Sequence, residues 1–132
     1  MTVSQYVSQL NRLIETGETL AAMEQFYADG VTMQENSEAP RVGKNVCLAH
    51  ERSNLAKVRF MKARLLNQAI NTEQQTVFSE WKFVFTDLQN QSWQLTEVSV
   101  QQWQNGQIVR ERFHYHSPTT VTHGRSVTAV RP

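Results

Sequence analysis

The segment FYADGVTMQE, residues Phe26 to Glu35, predicts the end of a helix, a tight turn at Asp29-Gly30 and a short strand that stops at a carboxylate. The segment Pro40-Arg41-Val42-Gly43 follows, and its glycine opens the next helix. A short strand can deliver its last side chain to the mouth of a cavity, where a carboxylate can act as a base or hold a polar ligand. Glu35 is therefore the first candidate for a functional residue.

Apolar residues three or four positions apart predict three helices in the N-terminal half of the chain. Gly17 is a natural stop for the first helix, and Pro40 places residues 36–41 in a loop before the third. The predicted helices span residues 3–16, 18–27 and 43–56.

The second half of the chain predicts strands. Residues 76–86 alternate between apolar and polar side chains, and Gln104-Asn105-Gly106 is a strong hairpin turn between strands at 93–103 and 107–116. Residues 58–70 have a mixed pattern that is consistent with a strand or with a helix. The polar tail from Ser117 either pairs with a neighbouring strand or is partly disordered.

This order of elements predicts an α+β fold, in which three N-terminal helices pack on a strongly curved antiparallel sheet. A strongly twisted sheet can curl over the helices, and its concave face then leaves room for a pocket. The 132 residues suit a single domain. We expect this domain over residues 1–116 and a tail over residues 117–132.

The charge balance of the chain argues against a nucleic-acid partner. With 13 basic and 12 acidic residues the net charge is +1, and the arginines of the second half are too dispersed in sequence to predict a basic face. The N-terminus lacks the basic start and the apolar run of a signal peptide, and no apolar run approaches the ~18 residues needed to span a membrane. We therefore expect a cytoplasmic protein without membrane contact.

The order of elements, α-α-β-α-β-β-β, and three segments of the sequence resemble a known family. The segments are FYADGVTMQE, the helix start RVG at residues 41–43, and the closing hairpin VSVQQWQNGQIVRERFHYH at residues 98–116. Over about residues 3–116 the chain resembles the SnoaL-like branch of the nuclear transport factor 2-like superfamily. The resemblance implies an α+β cone with a deep cavity and, often, a homodimer through the outer face of the sheet. Members include ketosteroid isomerases, polyketide cyclases, epoxide hydrolases, dehydratases and non-enzymatic binding domains.

The resemblance also relates individual positions to known chemistry. Ketosteroid isomerases carry their catalytic base at the end of the short strand, and Glu35 matches that place. Their two oxyanion donors correspond to a position at or next to Leu10 and to one near Ser99, so one donor is lost and the other is weakened. His116 stands where many chains of the family end the last strand with an aspartate.

Strand alternation and the resemblance together predict the lining of the cavity. Val98 and Val100 are expected on the outer face with Ile108 and the last arginines, where exposed valines favour a sheet-to-sheet dimer. Tyr27 joins the predicted ligand-binding set from the end of the second helix, where packing is the alternative. The predicted inward residues are Glu97, Ser99, Gln101, Trp103, Val109, Glu111, Phe113 and Tyr115.

Glu35, His50 and Glu111 are the candidate catalytic residues. Half buried beside aromatic rings, Glu35 can work as a base near neutral pH; otherwise it is an exposed carboxylate at the end of a loop, or it pairs with Arg41. His50 corresponds to a pocket-lining place and can form an acid/base dyad with Glu35, or it bonds a helix neighbour such as Asn54.

Two further groups leave alternatives open. Glu97 and Glu111 can face each other across adjacent strands, a familiar acid/base arrangement, unless one of them pairs with an arginine or the register separates them. The aromatic residues Trp81, Trp93 and Trp103, with Tyr115, form either a wall for a flat ligand or ordinary core.

The positions of the cysteine and the histidines do not favour a metal site. We also expect no cofactor. The single cysteine, Cys47, excludes an internal disulfide and predicts a small buried residue in the third helix, or a reactive thiol if His50 is its partner. His114 and His116 share a strand face that is expected to point outward, and His123 lies in the tail.

Three functional hypotheses follow. The first is a cofactor-free isomerase, cyclase or hydrolase that acts on a small, apolar, oxygenated substrate by carboxylate acid/base chemistry. The second is a non-catalytic ligand-binding domain. The third is a dimeric interaction domain whose cavity is filled by its own aromatic residues.

Overall fold

The computed structural model describes residues 1–122 and 125–126, so His123, Gly124 and residues 127–132 of the predicted tail lie outside the described residues. The three predicted helices are confirmed to within one residue at each end. None of the helices in the described part is long and apolar enough to span a membrane. The elements are α1 (Val3–Glu15), α2 (Thr19–Phe26), β1 (Tyr27–Glu35), β2 (Arg41–Val42), α3 (Lys44–Leu55), β3 (Val58–Asn71), β4 (Thr76–Asp87), β5 (Ser92–Gln104), β6 (Gln107–Tyr115), β7 (Thr119–Thr122) and β8 (Arg125–Ser126).

A capping box starts α1. The Thr2 hydroxyl accepts from the Gln5 backbone N–H at 3.3 Å, and Gln5 Oε1 accepts from the Thr2 backbone N–H at 2.8 Å. Val3, Val7 and Leu10 are buried along one face of the helix, as their spacing predicts.

The strands form one mixed sheet in the order β2-β1-β6-β5-β4-β3, with β7 added beside β5. β1 runs parallel to β6, whereas the other neighbours are antiparallel. Register shifts after Tyr27, Leu65 and Gln102 interrupt the ladders and increase the local twist. α1 packs on β3, α2 on β6 and α3 on β1, so the helices cover the concave face. The predicted α+β fold is confirmed, with one parallel strand pair in its sheet.

The hairpin between β5 and β6 is the predicted one. Gln104 pairs with Gln107, and the φ angles of +52° at Asn105 and +75° at Gly106 are those of a two-residue turn with left-handed backbone. The turn also packs on α1, because a Cβ atom added at Gly106 would lie 2.8 Å from the ring of Tyr6.

Three local predictions are wrong. Asp29-Gly30 lies inside β1 rather than in a turn, because β1 already pairs with β6 at Tyr27. Ile108 is completely buried instead of facing outward, because the register shift after Gln102 brings it opposite Trp103. Val109, expected inward, is not part of the cavity lining.

Two open alternatives are settled. Residues 58–71 form a strand, not a helix. In the segment after Ser117, β7 pairs with β5 at Ser92, Trp93 and Gln94, so at least residues 119–122 join the sheet.

Replacement of Gly106 by alanine should lower the free energy of unfolding by ~2–4 kcal/mol, because left-handed backbone strain adds to the clash with Tyr6. Gly17→Ala is the matched control: its φ is +84° but nothing lies within 4 Å of the added Cβ, so we expect a loss of only ~1 kcal/mol. Urea unfolding measures both. Equal losses in the two variants would contradict the packing of the turn on α1.

Candidate functional site

The helices and the concave face of the sheet enclose a cavity of about 460 Å³. This volume is in the range of small-molecule sites. Most of the wall is apolar, so the cavity suits a largely apolar molecule. Its apolar residues include Leu10, Met23, Met33, Met61, Trp81, Phe83, Phe85, Leu95 and Phe113.

Glu111 on β6 brings a charged group into this wall with only 3% of its surface exposed. The Tyr27 hydroxyl donates to one carboxyl oxygen, and Gln101 Nε2 donates to the other at 2.8 Å. The Trp103 indole N–H donates to Gln101 Oε1 at 3.0 Å. Because an indole N–H can only donate, this bond fixes the Gln101 amide with its NH₂ group toward Glu111.

Burial raises the pKa of Glu111 to about 7, although the hydrogen bonds from Tyr27 and Gln101 lower it. The charges of Glu35 and Glu51 raise the same pKa further. Burial and the charge of Glu111 raise the pKa of Tyr27 well above its usual value, so its hydroxyl stays protonated and can keep donating. A carboxyl that titrates near neutrality can both accept and return a proton.

Glu97 on β5 lies directly between two aromatic residues, Trp81 on β4 and Tyr115 on β6, and all three line the cavity. Burial raises the pKa of Glu97 to about 8, and the charge of Glu111 adds to this. Glu111 pairs with Gln101, four positions along β5 from Glu97. The register therefore separates the two carboxyls along one wall, although both belong to the same cavity.

Ser99 lies between Glu97 and Gln101 on the inner face of β5 and is 2% exposed. Within the described residues its hydroxyl has no hydrogen-bond partner. An unsatisfied buried hydroxyl costs ~1–3 kcal/mol. Ser99 is therefore a place where a ligand can supply a missing hydrogen bond.

Glu35 lines the cavity at the end of β1 but is paired. Arg41 Nη2 lies 2.7 Å from Glu35 Oε2, and the side chains are 21% and 19% exposed, respectively. Of the two alternatives for Glu35, pairing with Arg41 is the one observed, and both residues contribute to the cavity wall.

His50 does not line the cavity, so its expected pocket-lining place is wrong by one residue. His50 Nε2 lies 3.2 Å from Asn54 Nδ2. Glu51, the next residue of α3, faces the cavity instead. Burial raises the pKa of the Glu51 carboxyl, and the charge of Glu35 adds to the shift. The rotation of α3 about its axis depends on how it docks on β1, which sequence periodicity does not determine.

The aromatic residues divide between wall and core. Trp81 lines the cavity and stacks on Phe83 at 6.1 Å between ring centroids. Trp103 instead stacks on Tyr6 at 6.3 Å and lies in the hydrophobic core, so its expected place in the cavity wall is wrong. Trp93 is not part of the wall either.

Eight of the ten predicted site residues line the cavity; His50 and Trp103 do not. Sequence reasoning missed Glu51 and treated Arg41 only as a partner of Glu35. The position of Arg41 just before the helix-opening Gly43 was the available signal for it. The predicted residues in the wall are Tyr27, Glu35, Glu97, Ser99, Gln101, Glu111, Phe113 and Tyr115.

Cys47 and the histidines lie apart from the cavity chemistry. Cys47 is 1% exposed in the core, and burial raises the pKa of its thiol. His114 pairs with Val98 on the outer face of the sheet. Among the described residues, no group of three or more histidine, cysteine, aspartate or glutamate side chains is placed to hold a metal ion.

Solved structures share this architecture. A proposed SnoaL-like polyketide cyclase from Mesorhizobium loti is similar with a TM-score of 0.74 and 21% identity, over 87% of this chain and 100% of that one. The protein shares the fold of SnoaL-like and NTF2-like proteins. Among other proteins with this fold, an NTF2-like protein of unknown function from Burkholderia pseudomallei matches with a TM-score of 0.74 and 15% identity, over 86% of this chain and 89% of that one. An LEH-like epoxide hydrolase from M. tuberculosis matches with a TM-score of 0.70 and 12% identity, over 86% of this chain and 81% of that one. No protein-family model and no curated protein matches the chain.

Proposed function

We propose that this SnoaL-like protein binds a small, largely apolar molecule with a few oxygen atoms in the cytoplasm, and that Glu111 transfers a proton on it without a cofactor. The main support is the environment of the Glu111 carboxyl. This carboxyl is enclosed in an apolar wall, is oriented by two hydrogen bonds and has a pKa of about 7. A base is most effective when its pKa lies near the working pH.

In the proposed reaction, the Glu111 carboxylate takes a proton from a carbon next to a carbonyl group, and the electron pair moves to the carbonyl oxygen. Return of the proton at another atom gives an isomerisation, and attack of the enolate on an electrophilic carbon of the same molecule gives a ring closure. Burial and the charges of Glu35 and Glu97 raise the pKa of Tyr115 to about 12, so its hydroxyl stays protonated and can donate to a polar atom of the ligand at the Glu97 end of the cavity. In a hydrolysis the same carboxylate would take its proton from water.

Glu35 fits the role of base less well than Glu111. Arg41 Nη2 lies 2.7 Å from one of the two Glu35 carboxyl oxygens, and this fixed positive charge favours the ionised carboxylate over the protonated form. We assign to this ion pair a binding role at the end of β1. His50 receives no role in the reaction, because it does not line the cavity.

Non-catalytic ligand binding is the second candidate function. Tyr27 and Gln101 already satisfy both oxygens of Glu111, which is how a purely structural buried carboxyl would be accommodated. The hypothesis of a cavity filled by its own aromatic residues receives no support from a volume of about 460 Å³.

Exchange of substrate protons for deuterium tests the proton transfer without knowledge of the natural substrate. Small cyclic ketones with apolar substituents are incubated with the protein in heavy water, and deuterium uptake next to the carbonyl is measured by mass spectrometry. Glu111→Gln keeps the shape of the side chain but removes the base, so we expect protein-dependent exchange to fall by ~100-fold or more.

The control is Glu73→Gln, which changes an exposed carboxylate between β3 and β4 and should exchange like the wild type. Ketone binding by Glu111→Gln, followed by saturation-transfer NMR, should change by no more than about threefold. Wild-type exchange rates in Glu111→Gln would refute the assignment of the base. Binding without exchange in the wild type would favour the second candidate function.

We also propose that the protein forms a homodimer through the outer face of β3, β4 and β5. Phe78 is 43% exposed and Val98 37% exposed on this face, and both lie in its central strands. Contiguous exposed apolar side chains on a sheet face favour association. Arg64, Lys82 and Arg110 lie on the same face, and Glu80 is the acidic residue opposite Val98. The basic side chains outnumber Glu80, so salt should strengthen the association by screening their repulsion.

Replacement of Val98 by lysine should convert the dimer into a monomer, because association would bury a charged side chain in the centre of the apolar patch. Val42→Lys is the control, since Val42 is 62% exposed on β2, at the opposite edge of the sheet. Sedimentation equilibrium at low and high salt measures both variants. A monomeric wild type at all concentrations, or a dimer that survives in Val98→Lys, would contradict this interface.

A further inference from the structure

The part of the cavity around Glu97 has more carboxyl groups than basic partners. Four carboxyls line the cavity, from Glu35, Glu51, Glu97 and Glu111, whereas the lining contains two basic residues. Arg41 is held by Glu35, and Lys57 is exposed. Among the described residues, the ion pairs are Arg41 with Glu35 and Arg52 with Glu24, so neither Glu97 nor Glu51 is neutralised by a basic side chain. Buried carboxyls are normally paired or hydrogen-bonded, so this end of the cavity lacks a positive partner.

Glu97 also has aromatic residues as its neighbours on both adjacent strands. Trp81 lies beside it on one neighbouring strand and Tyr115 on the other, and Phe83 stacks on Trp81. A carboxylate with aromatic neighbours suits an organic ammonium group, because the faces of aromatic rings carry negative electrostatic potential and attract cations.

Ser99 supplies an independent indication of a ligand. Its hydroxyl is buried, lines the cavity and lacks a partner. Ser99 follows Glu97 by two positions on the same strand face, about 6.6 Å away along β5. A single ammonium group has three donors and can reach both side chains at once. A metal ion does not fit the same place, since the described residues contain no group of ligands able to hold one.

We propose that the molecule bound in this cavity carries a protonated amine, and that Glu97 and Ser99 bind its ammonium group between Trp81 and Tyr115. This inference rests on the proposed function and names the substrate class of the same site. The ammonium group at Glu97 leaves the apolar and oxygenated parts of the molecule to face Glu111, four positions further along the sheet.

The affinity for an ammonium ligand at Glu97 should depend on pH in a definite direction. In the empty cavity, burial and the charges of Glu111, Glu35 and Glu51 raise the pKa of Glu97 to about 8, so the carboxyl is mostly protonated at pH 7. Tyr115, Arg41 and the exposed Lys57 are the other titratable groups in this part of the wall. An ammonium group favours the ionised carboxylate, so binding should release a proton and affinity should rise with pH toward about 8. A neutral ligand that accepts a hydrogen bond from protonated Glu97 would show the opposite slope.

Three probes with one skeleton test the inference: naphthylethylamine, naphthylethanol and naphthylpropanoate. Calorimetric titration at about pH 8 should show the amine binding at least about tenfold more tightly than the alcohol, and the carboxylate more weakly than either. Glu97→Gln should reduce the preference for the amine to about twofold or less, whereas Glu73→Gln should retain it. For the wild type, amine affinity should rise about tenfold or more between about pH 6 and about pH 8. Parallel titrations in phosphate and Tris buffers should reveal the released proton.

The outcomes separate this inference from the proposed function. If the alcohol binds as tightly as the amine, or if amine affinity falls with rising pH, the ammonium site is refuted while a ligand-binding cavity stands. If none of the three probes binds, the ligand-binding function and the ammonium site fail together. The pH series on the wild type decides the matter even if Glu97→Gln does not fold.

Discussion

The burial of the Glu111 carboxyl is the constraint on which the rest of the structure depends. A charged group in an apolar wall is costly unless donors meet it. Here the donors come from separate strands, Tyr27 at the start of β1 and Gln101 on β5. Both reach Glu111 only because β6 lies between β1 and β5, parallel to one and antiparallel to the other. The topology of the sheet and the chemistry of the site are therefore linked through one side chain.

The distribution of charge separates the two faces of the sheet. The net charge is only +1, but the charges are unevenly placed. Four carboxyls line the cavity, whereas basic side chains including Arg64, Lys82 and Arg110 lie on the outer face. Apolar residues of similar volume in place of buried charged groups are often neutral or stabilising. Stability therefore does not explain why Glu97 and Glu111 lie inside, whereas the proposed roles in ligand binding and proton transfer do.

Local sequence signals predicted what local interactions determine. The hairpin at Asn105-Gly106 follows from residues that tolerate left-handed backbone, and the three helices follow from apolar spacing. Two-residue alternation placed Glu97, Ser99 and Gln101 on the cavity side of β5, because that strand is regular over those positions.

Features that depend on contacts distant in sequence were not predictable in the same way. The parallel pairing of β1 with β6 joins segments about eighty residues apart and draws Asp29-Gly30 into a strand. One register shift after Gln102 reverses the expected facing of Ile108. The docking of α3 decides that Glu51, and not His50, reaches the cavity. Glu111 therefore replaces Glu35 as the proposed base, because Arg41 pairs with Glu35 and burial raises the pKa of Glu111.

Titration of the Glu111 side chain by carbon-13 NMR tests the central claim most directly. With selectively labelled glutamate and Glu111→Gln to assign the signal, the account predicts a midpoint near 7, the value to which burial raises this pKa. Tyr27→Phe should move the midpoint higher, because the Tyr27 hydrogen bond favours the ionised carboxylate. A midpoint near the ordinary glutamate value of about 4.3 would contradict the account. It would mean that water reaches Glu111 and that the cavity does not prepare this carboxyl to move a proton.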